Sequence, residues 1–393
     1  MTDHPGADAP ETTPTLASLG YSDRWRSLFE AHAEAGHVPA RVVRSDRGSV
    51  IVAAAHGVVR AESSARLRRG RDGGAGHTRP DGRLRAAGRA SAGTEGPPAC
   101  GDWVVLDPAP THETAVIEAI LPRSSAFTRG ASDEVSAPQV IAANVDIVFV
   151  VHPLETEANL RRIERELALA WESGAVPVVV LTKADLTDEA ELKAAVVRDV
   201  ALGVDVVVTS ATAGIGIEDV RAYAGEGQTV ALIGPSGVGK STLINALLGE
   251  ERQATREVRV GDGKGRHATV TRELVPLPGG GVLLDTPGMR AVVMIDAQDG
   301  IAAAFADVTA LAEGCRFRDC THAQEPGCAV LSAIERGELP AERLASWQKL
   351  QREAHVAAMK TDARLRTDEA RRWKIIQKGA KEHYRLKGGD GQR

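Results

Sequence analysis

The chain has 393 residues, of which 43% are hydrophobic and 26% are charged, and its formal net charge is −5 at pH 7. This length predicts two or three domains with a substantial core, and the composition is typical of a globular protein. No apolar run approaches the roughly 20 residues that cross a bilayer, and the N-terminus lacks a basic start followed by an apolar stretch. We therefore expect a cytoplasmic protein whose affinity for nucleic acid, if any, comes from local basic patches.

The N-terminal third is predicted to contain a small all-β barrel. Residues 1 to about 20 are rich in Pro, Ala, Thr and acids without periodicity, so we expect a tail over 1–38 that is disordered or partly helical. From about Pro39, short β-prone runs alternate with Gly, Asp and Pro, as in small barrels or sandwiches. These runs are 41–44, 49–53, 57–61, 102–106 and 114–117.

An insert at 70–99, rich in Gly, Arg and Ala, interrupts these runs and contains almost nothing to bury. We expect it to be a flexible loop of the barrel. Its arginines leave two interpretations open: a solvated segment that reflects composition alone, or a segment that gathers RNA phosphates. Because such barrels can present an open face to nucleic acid, a neighbouring nucleotide-binding domain would favour the second.

From Gln139 the pattern changes to alternating strands and helices. Residues 144–151 form a near-continuous apolar run, as expected of a strand buried on both sheet faces, and 160–171 has helical spacing. A second buried run follows at 177–181. This alternation predicts a doubly wound, mostly parallel α/β sheet, which binds ligands beyond the carboxyl ends of its strands.

Two short motifs at predicted strand ends have the chemistry to bind guanine. The first is Thr182-Lys183-Ala184-Asp185, where the Asp185 carboxylate can accept N1–H and N2–H₂ of guanine while the Lys183 stem packs along the base. Alone, these four residues also fit an ordinary strand-end loop. The second motif follows the strand at 205–209, where Ser210 and Ala211 are small enough to let a backbone N–H approach guanine O6.

A phosphate-binding loop follows the apolar run at 229–233 and precedes a helical pattern that begins near Thr242. Its glycines allow backbone N–H groups to wrap around a phosphate at the positive end of a helix. Lys240 can reach the β and γ phosphates, and the Ser241 hydroxyl can ligate Mg²⁺. The predicted phosphate-binding residues are Gly234, Pro235, Ser236, Gly237, Val238, Gly239, Lys240, Ser241 and Thr242.

A further strand at 281–284 leads to Asp285-Thr286-Pro287-Gly288. Asp285 is placed to hold Mg²⁺ through water, and the Gly288 N–H to sense the γ phosphate. In most GTPases the base-reading motif follows the phosphate loop, whereas here residues 182–185 precede it, and a plain ATPase would not need this motif. The order predicts a circularly permuted GTPase domain, because a site built from strand-end loops depends on their positions in the sheet.

Three cysteines and one histidine beyond this domain form a short cluster with the spacing Cys-x4-Cys-x-His-x5-Cys: Cys315, Cys320, His322 and Cys328. Four such ligands suit a tetrahedral, structural Zn²⁺ with no position left for water. The remaining Cys100 is predicted to be a buried or idle thiol.

Two helices are predicted after this cluster, at 329–335 and 341–357. The basic segment 364–387 then interleaves Trp373 and Tyr384 with Lys and Arg. Either RNA binding or a solvated helix would account for that segment.

The order of the motifs and the zinc spacing together resemble the ribosome small-subunit-dependent GTPase A family, bacterial circularly permuted GTPases that assist late maturation of the small ribosomal subunit. The resemblance covers about 39–375, including residues 139–146. It implies, after the tail at 1–38, a barrel of the oligonucleotide-binding (OB) type at 39–130, a circularly permuted P-loop GTPase domain at 131–297 and a zinc-binding helical domain with a basic C-terminal tail at 298–393. It also implies a cytoplasmic, monomeric enzyme that hydrolyses GTP with Mg²⁺, carries one structural Zn²⁺, and is stimulated by the small subunit and its rRNA.

The chain departs from this family at three places. Thr182 replaces the usual Asn; we expect it to retain one hydrogen bond to the neighbouring loop and with it guanine binding. The family's Gly-x-His-Thr-Thr-Thr switch reads here as residues 265–271, GRHATVT, in which Thr269 keeps its place and is expected to meet Mg²⁺ and the γ phosphate. Met289 stands where many GTPases have a water-orienting Gln, so His267 in the switch is the predicted organiser of the attacking water.

Turnover is then expected to be slow until a partner orders the switch. Two other functions remain open: a non-ribosomal GTP-dependent switch whose barrel binds a protein, and a GTP-binding scaffold that has lost hydrolysis.

Overall fold

A computed structural model describes residues 15–45, 49–72, 96–107, 114–129, 139–250, 272–285 and 297–361, without the side chains of 69–72 and 359–361. Several predictions fall outside the described residues. They are the tail up to residue 14, most of the insert (73–95), the switch residues His267 and Thr269, the loop residues Gly288 and Met289, and the basic segment 364–387.

The first part of the chain is a helix followed by five short strands that close on themselves. The elements are α1 (Asp23–Ala33), β1 (Val38–Ser45), β2 (Val50–Ala54), β3 (Gly57–Ser63), α2 (Ala65–Asp72), β4 (Trp103–Leu106) and β5 (Ala115–Ile120). The strands run in the order β1-β2-β3-β5-β4, with β3 and β5 parallel, and β4 pairs back onto β1. This connectivity is that of a small barrel of the OB type.

The barrel interior is filled from alternate strand positions. Ala40 and Val42 on β1, Val52 on β2, Val104 on β4 and Ile117 on β5 are all fully buried in one cluster. Because successive side chains of a strand face opposite sides, these positions point to the same interior. The small all-β barrel predicted from the sequence is confirmed.

The next part is built from strands that alternate with helices. Its strands are β6 (Ala126–Arg129), β7 (Gln139–Ala143), β8 (Ile147–Pro153), β9 (Val176–Thr182), β10 (Val206–Val208), β11 (Thr229–Ile233), β12 (Arg272–Pro276) and β13 (Val282–Asp285). Its helices are α3 (Leu160–Ser173), α4 (Ala190–Arg198), α5 (Ile217–Ala222) and α6 (Lys240–Leu248), with a 3₁₀ turn at Ala184–Leu186.

Five of these strands are parallel, in the spatial order β10-β9-β8-β11-β13. Successive residues of β8 enter different cores: Val148 and Val150 pack with α3, whereas Phe149 and Val151 pack with α5 and α6. A strand covered on both faces explains the continuous apolar run in the sequence. The doubly wound, mostly parallel sheet is confirmed.

The barrel and the parallel sheet are joined edge to edge. Strand β12 runs antiparallel to β13 and also pairs with β1, so that eleven strands form one continuous sheet, while β6 and β7 pair separately. The β12–β1 contact was not predicted, since nothing in either run specifies a partner. The domain boundaries given above stay predictions.

The C-terminal part consists of α7 (Gln298–Ala304), α8 (Ala306–Ala312), α9 (Ala329–Glu335) and α10 (Ala341–Thr361). Helix α7 packs so closely on α3 that a Cβ on Gly300 would lie 2.2 Å from the Ala168 carbonyl oxygen. Arg343 of α10 is buried and donates to Glu164 of α3 at 2.8 Å and to Asp307 of α8 at 2.9 Å. Among the described helices, none has both the length and the apolar character needed to cross a membrane.

A buried arginine connects the barrel to the start of the phosphate-loop strand. The Arg41 guanidinium, 1% exposed, donates to the carbonyls of Leu19, Gly101 (3.3 Å) and Asn144 (3.3 Å) and to the Thr229 hydroxyl (2.8 Å). Burial lowers the pKa of Arg41 to about 10, so the group stays charged at neutral pH. A buried charge needs such a set of acceptors, which fixes four segments of the chain around one side chain.

Two expectations for the N-terminal part need correction. Residues 15–20, expected to lack packed structure, form turns, and Leu19 is fully buried in the apolar cluster that includes Trp25 and Trp103, while its carbonyl accepts from Arg41. Residues 70–72, at the start of the expected insert, belong to α2, which extends to Asp72, and Ala99 at its other end is 3% exposed. Cys100 is fully buried as predicted, and burial raises its pKa to about 12.

Candidate nucleotide site and metal cluster

All predicted nucleotide-binding motifs within the described residues lie along the side of the parallel sheet where its strands have their carboxyl ends. Thr182 ends β9, Ser210 follows β10, Gly234 follows β11 and Asp285 ends β13. Because these strands are parallel, their carboxyl ends share one edge, which is where doubly wound sheets bind ligands. The structure thus places motifs that lie up to about 100 residues apart in sequence on a common edge.

The phosphate loop has a backbone that only glycine can adopt easily. Gly234 has a φ of 142°, and a Cβ there would lie 2.3 Å from the Val151 carbonyl oxygen. Gly239, with a φ of 96°, caps the N-terminus of α6, which begins two residues before the predicted start. The Lys240 ammonium donates to the carbonyl oxygens of Gly234 (2.9 Å) and Pro235. Lysine and loop are therefore already adjacent, on the helix N-terminus that favours anions.

Thr182 ties the guanine motif to the phosphate loop. Its buried hydroxyl donates to the Val238 carbonyl oxygen in the phosphate loop and lies 3.3 Å from the His152 carbonyl oxygen. The Thr182 carbonyl in turn accepts from the Leu154 N–H at 2.8 Å. The predicted hydrogen bond from Thr182 to its neighbouring loop is present, even though β8 lies between β9 and β11 in the sheet.

The Asp185 carboxylate is exposed and is held by hydroxyl groups of the loop after β10. Ser210 donates to one carboxylate oxygen and Thr212 to the other at 3.2 Å. The Ser210 hydrogen bond is the main reason that the pKa of Asp185 lies below its usual range. Ser210 itself is fully buried and accepts from the Ala213 N–H at 3.1 Å. The two motifs with guanine chemistry therefore form one ionised, hydrogen-bonded unit.

Lys183 is positioned by a residue that sequence reasoning missed. It has the left-handed φ of 60°, and its ammonium pairs with Glu155 of the β8–α3 loop at 2.5 Å. A glutamate in a polar loop belongs to no motif, so only the adjacency of β8 and β9 could have pointed to it. The same loop is fastened by Lys193 of α4, whose ammonium donates to the Leu154 carbonyl at 2.9 Å.

The predicted magnesium ligands are only partly described. Ser241 lies in the first turn of α6 and Asp285 ends the neighbouring strand β13, and both side chains are half-buried. Thr242 follows in the same helical turn. The other predicted residues of this half of the site, Thr269, Gly288 and the catalytic candidate His267, lie outside the described residues.

The four predicted metal ligands come together in the C-terminal part. The ligand atoms of Cys315, Cys320, His322 and Cys328 all lie within 4.8 Å of one another. The His322 Nδ1 is 3.6 Å from the Cys315 Sγ and 3.4 Å from the Cys328 Sγ, and these two sulfurs are 3.9 Å apart. A tetrahedral zinc site with ordinary bond lengths has edges of about 3.6 Å for N to S and about 3.8 Å for S to S. The donor set therefore fits one tetrahedral metal ion.

The protein environment prepares this cluster for a metal. Burial lowers the pKa of His322, which keeps its imidazole neutral and able to ligate metal at pH 7. Glu325 accepts the N–H groups of Thr321 (2.9 Å), Ala323 (2.9 Å) and Gln324 (3.1 Å), which fixes the turn between the second and last cysteines. These hydrogen bonds shape the turn, while Cys328 and His322 are buried against the core.

Comparisons with known proteins agree with this architecture. The sequence model of the RsgA GTPase family matches residues 120–295. A small ribosomal subunit biogenesis GTPase RsgA from Streptomyces coelicolor is 46% identical over 362 residues, covering 91% of this chain and 92% of the relative. The protein of the same name from Opitutus terrae is 42% identical and covers 95% of this chain and 99% of the relative.

Two solved structures are also similar. YjeQ from Thermotoga maritima has a TM-score of 0.57 and 27% identity, and the match covers 81% of this chain and 98% of that one. YloQ, described as a circularly permuted GTPase, has a TM-score of 0.53 with 20% identity over 81% of this chain and 95% of that one, which supports the fold alone. Together these likenesses confirm the circularly permuted fold expected from the order of the motifs.

Proposed function

The chain belongs to the RsgA family of small ribosomal subunit biogenesis GTPases, and we propose that it hydrolyses GTP in the cytoplasm under stimulation by the small ribosomal subunit, as a late maturation factor of that subunit. The observation that carries the proposal is the hydrogen bond from Thr182 to the Val238 carbonyl. This contact joins the guanine motif to the phosphate loop, which supports a single nucleotide site built from both.

In this proposal, Asp185 selects guanine. Its ionised carboxylate accepts N1–H and N2–H₂, and the hydroxyls of Ser210 and Thr212 keep it in position. Lys183 lays its stem along the base while its ammonium remains with Glu155. Adenine does not present the same pair of donors, which accounts for the choice of GTP.

The phosphates would lie in the loop at 234–241, at the N-terminus of α6, where backbone N–H groups can bind an anion. Lys240, which donates to loop carbonyls in the structure, would turn to the β and γ phosphate oxygens. Ser241, Asp285 and Thr269 would hold Mg²⁺, which neutralises charge on the β and γ oxygens when it is bound with GTP. This arrangement would stabilise the negative charge that accumulates on the bridging oxygen as its bond to the γ phosphorus breaks.

Hydrolysis needs a group that orients water, and Met289 has no hydrogen-bonding group for that task. We assign it to His267, whose imidazole would align a water molecule for attack on the γ phosphorus while GDP leaves. The switch that carries His267 would be ordered by the small subunit, which makes intrinsic turnover slow and stimulated turnover fast. In the C-terminal part, Zn²⁺ would be the structural ion of the Cys₃His cluster, because the four protein ligands leave no open position.

GTP turnover measured with and without purified small subunits tests the proposal. Strong stimulation supports it, turnover without stimulation indicates a non-ribosomal switch, and no turnover in either case indicates a binding scaffold. His267→Ala should abolish the stimulated rate and leave the affinity for GDP unchanged. The matched control is His56→Ala, an exposed histidine in the turn between β2 and β3, which should be stimulated like the wild type.

A further inference from the structure

We propose that helix α4 and the turn before it form a docking face for a basic protein segment with apolar anchors, and that in the complex with the small ribosomal subunit this partner is a subunit protein. The inference rests on the proposed function for the identity of the partner. The α4 face, as we define it, consists of Leu186, Leu192 and Val196 together with the acids Asp188, Glu189 and Asp199.

Exposed apolar side chains are concentrated in the part of the chain that includes this helix. Of the nine large apolar side chains that are exposed in the described residues, five lie between residues 186 and 215. Leu192 is 66% exposed, Leu186 58% and Val196 46%. An isolated exposed leucine needs no explanation, but several within one short segment are typical of an interaction site.

The helix has an inner and an outer apolar side. Ala194 and Val197 are buried against the sheet, whereas Leu192 and Val196 lie one turn apart and are both exposed. Residues four apart share one face of a helix, so the exposed pair forms a short apolar stripe that the rest of the fold does not cover. The stripe is therefore available to another molecule rather than required by the core.

The charges around the stripe select the partner. Asp188, Glu189 and Asp199 are exposed, and within the described part of the chain none of them makes an ion pair. The two cations of the helix are already engaged: Arg198 pairs with Glu191 at 3.1 Å, and Lys193 donates to the Leu154 carbonyl. An apolar stripe with unpaired acids repels the phosphates of RNA and attracts Lys and Arg on a protein.

The position of the face links it to the nucleotide site. Leu186 is adjacent to Asp185 in the same 3₁₀ turn, and Lys193 fastens α4 to the β8–α3 loop that also carries Glu155. A partner on the α4 face would therefore contact the segment that holds the guanine motif.

The test is binding of the full-length protein, loaded with a non-hydrolysable GTP analogue, to purified small subunits. The double variant Leu192→Ala and Val196→Ala should weaken binding about tenfold, the scale of a lost interface anchor. Its intrinsic GTP turnover and its Tm should match the wild type, because both side chains are exposed. Val356→Ala, which truncates a valine of α10 that is 47% exposed, is the matched control and should bind like the wild type.

Replacing Asp188 and Glu189 with Lys should also weaken binding to subunits, whereas it should strengthen binding to protein-free rRNA. A photo-crosslinking amino acid at position 192 should label a subunit protein. Labelling of rRNA, unchanged binding of the double variant, or an equal loss with Val356→Ala would each overturn the proposal. Absence of binding and stimulation in the wild-type protein would instead reject the proposed function itself.

Discussion

The hydrogen bond between Thr182 and the phosphate loop should control nucleotide affinity. Replacing Thr182 with Val keeps the shape of the side chain and removes only the hydroxyl. The side chain is 4% exposed and the acceptor residue Val238 3% exposed, so water cannot easily replace the lost donor. The predicted result is weaker binding of GTP and GDP, because both nucleotides would contact the guanine motif and the phosphate loop at the same time.

The magnitude follows from the burial of the acceptor. Leaving a buried carbonyl without its partner costs about 1–3 kcal/mol. If that cost falls on the nucleotide-bound state, the affinity for GDP decreases by roughly 5- to 150-fold. If part of it falls on the nucleotide-free protein, the free energy of unfolding decreases by the corresponding share. The two quantities together should therefore account for the whole penalty.

The assay is equilibrium binding of a fluorescent GDP analogue, with urea unfolding of the same preparations. Thr182→Ser keeps the hydroxyl and serves as the matched control, which should remain within a few-fold of the wild type. Thr182→Val with wild-type affinity and wild-type stability would show that the hydroxyl does not hold the loop, and the assignment of Thr182 as the link between the two motifs would be wrong.

Three further predictions concern neighbouring groups. Ser210→Ala removes the main cause of the lowered pKa of Asp185, so the loss of GTP affinity on acidification should begin at a higher pH than in the wild type, measured by binding across a pH series. Glu155→Gln should weaken GDP binding about two- to fivefold, less at high salt, because the pair with Lys183 is partly exposed; Glu157→Gln in the same loop is the control and should have no effect. Cys320→Ser should release the bound metal, measured by elemental analysis, and lower the Tm, whereas full retention of one zinc per chain would contradict the Cys₃His assignment.

The positions of the candidate nucleotide motifs in the fold could be predicted because each motif is contiguous and follows or ends a strand. A run such as 229–233 identifies its own strand, and the parallel arrangement then brings the motif that follows it to a common edge. The metal cluster could also be predicted from the sequence, because its four ligands lie within fourteen positions, 315–328. In both cases a short stretch of sequence specifies the chemical groups. Either the parallel sheet or the short spacing then brings those groups together in space.

Contacts between distant segments could not be predicted in this way. Arg41 and Thr229 are 188 residues apart, and an arginine in a β-prone run would ordinarily be placed in solvent. Arg343, which joins α10 to α3, likewise resembles any charged residue near a helix start. Nothing local distinguishes a buried arginine from a solvated one, because the distinction depends on acceptors that other segments provide.

The permuted order of the chain has a structural consequence for the switch. The segment with His267 runs from the end of α6 to the start of β12, and the first residues of β12 pair with the barrel, Arg272 with Ser45 and Glu273 with Arg44. The other edge of β12 pairs with β13, which ends at Asp285. The barrel strand β1, the strand β12 that follows the switch, and the strand β13 that ends at a predicted magnesium ligand are therefore neighbours in one continuous sheet. A partner that binds the barrel would thus contact the same continuous sheet to which both of these strands belong.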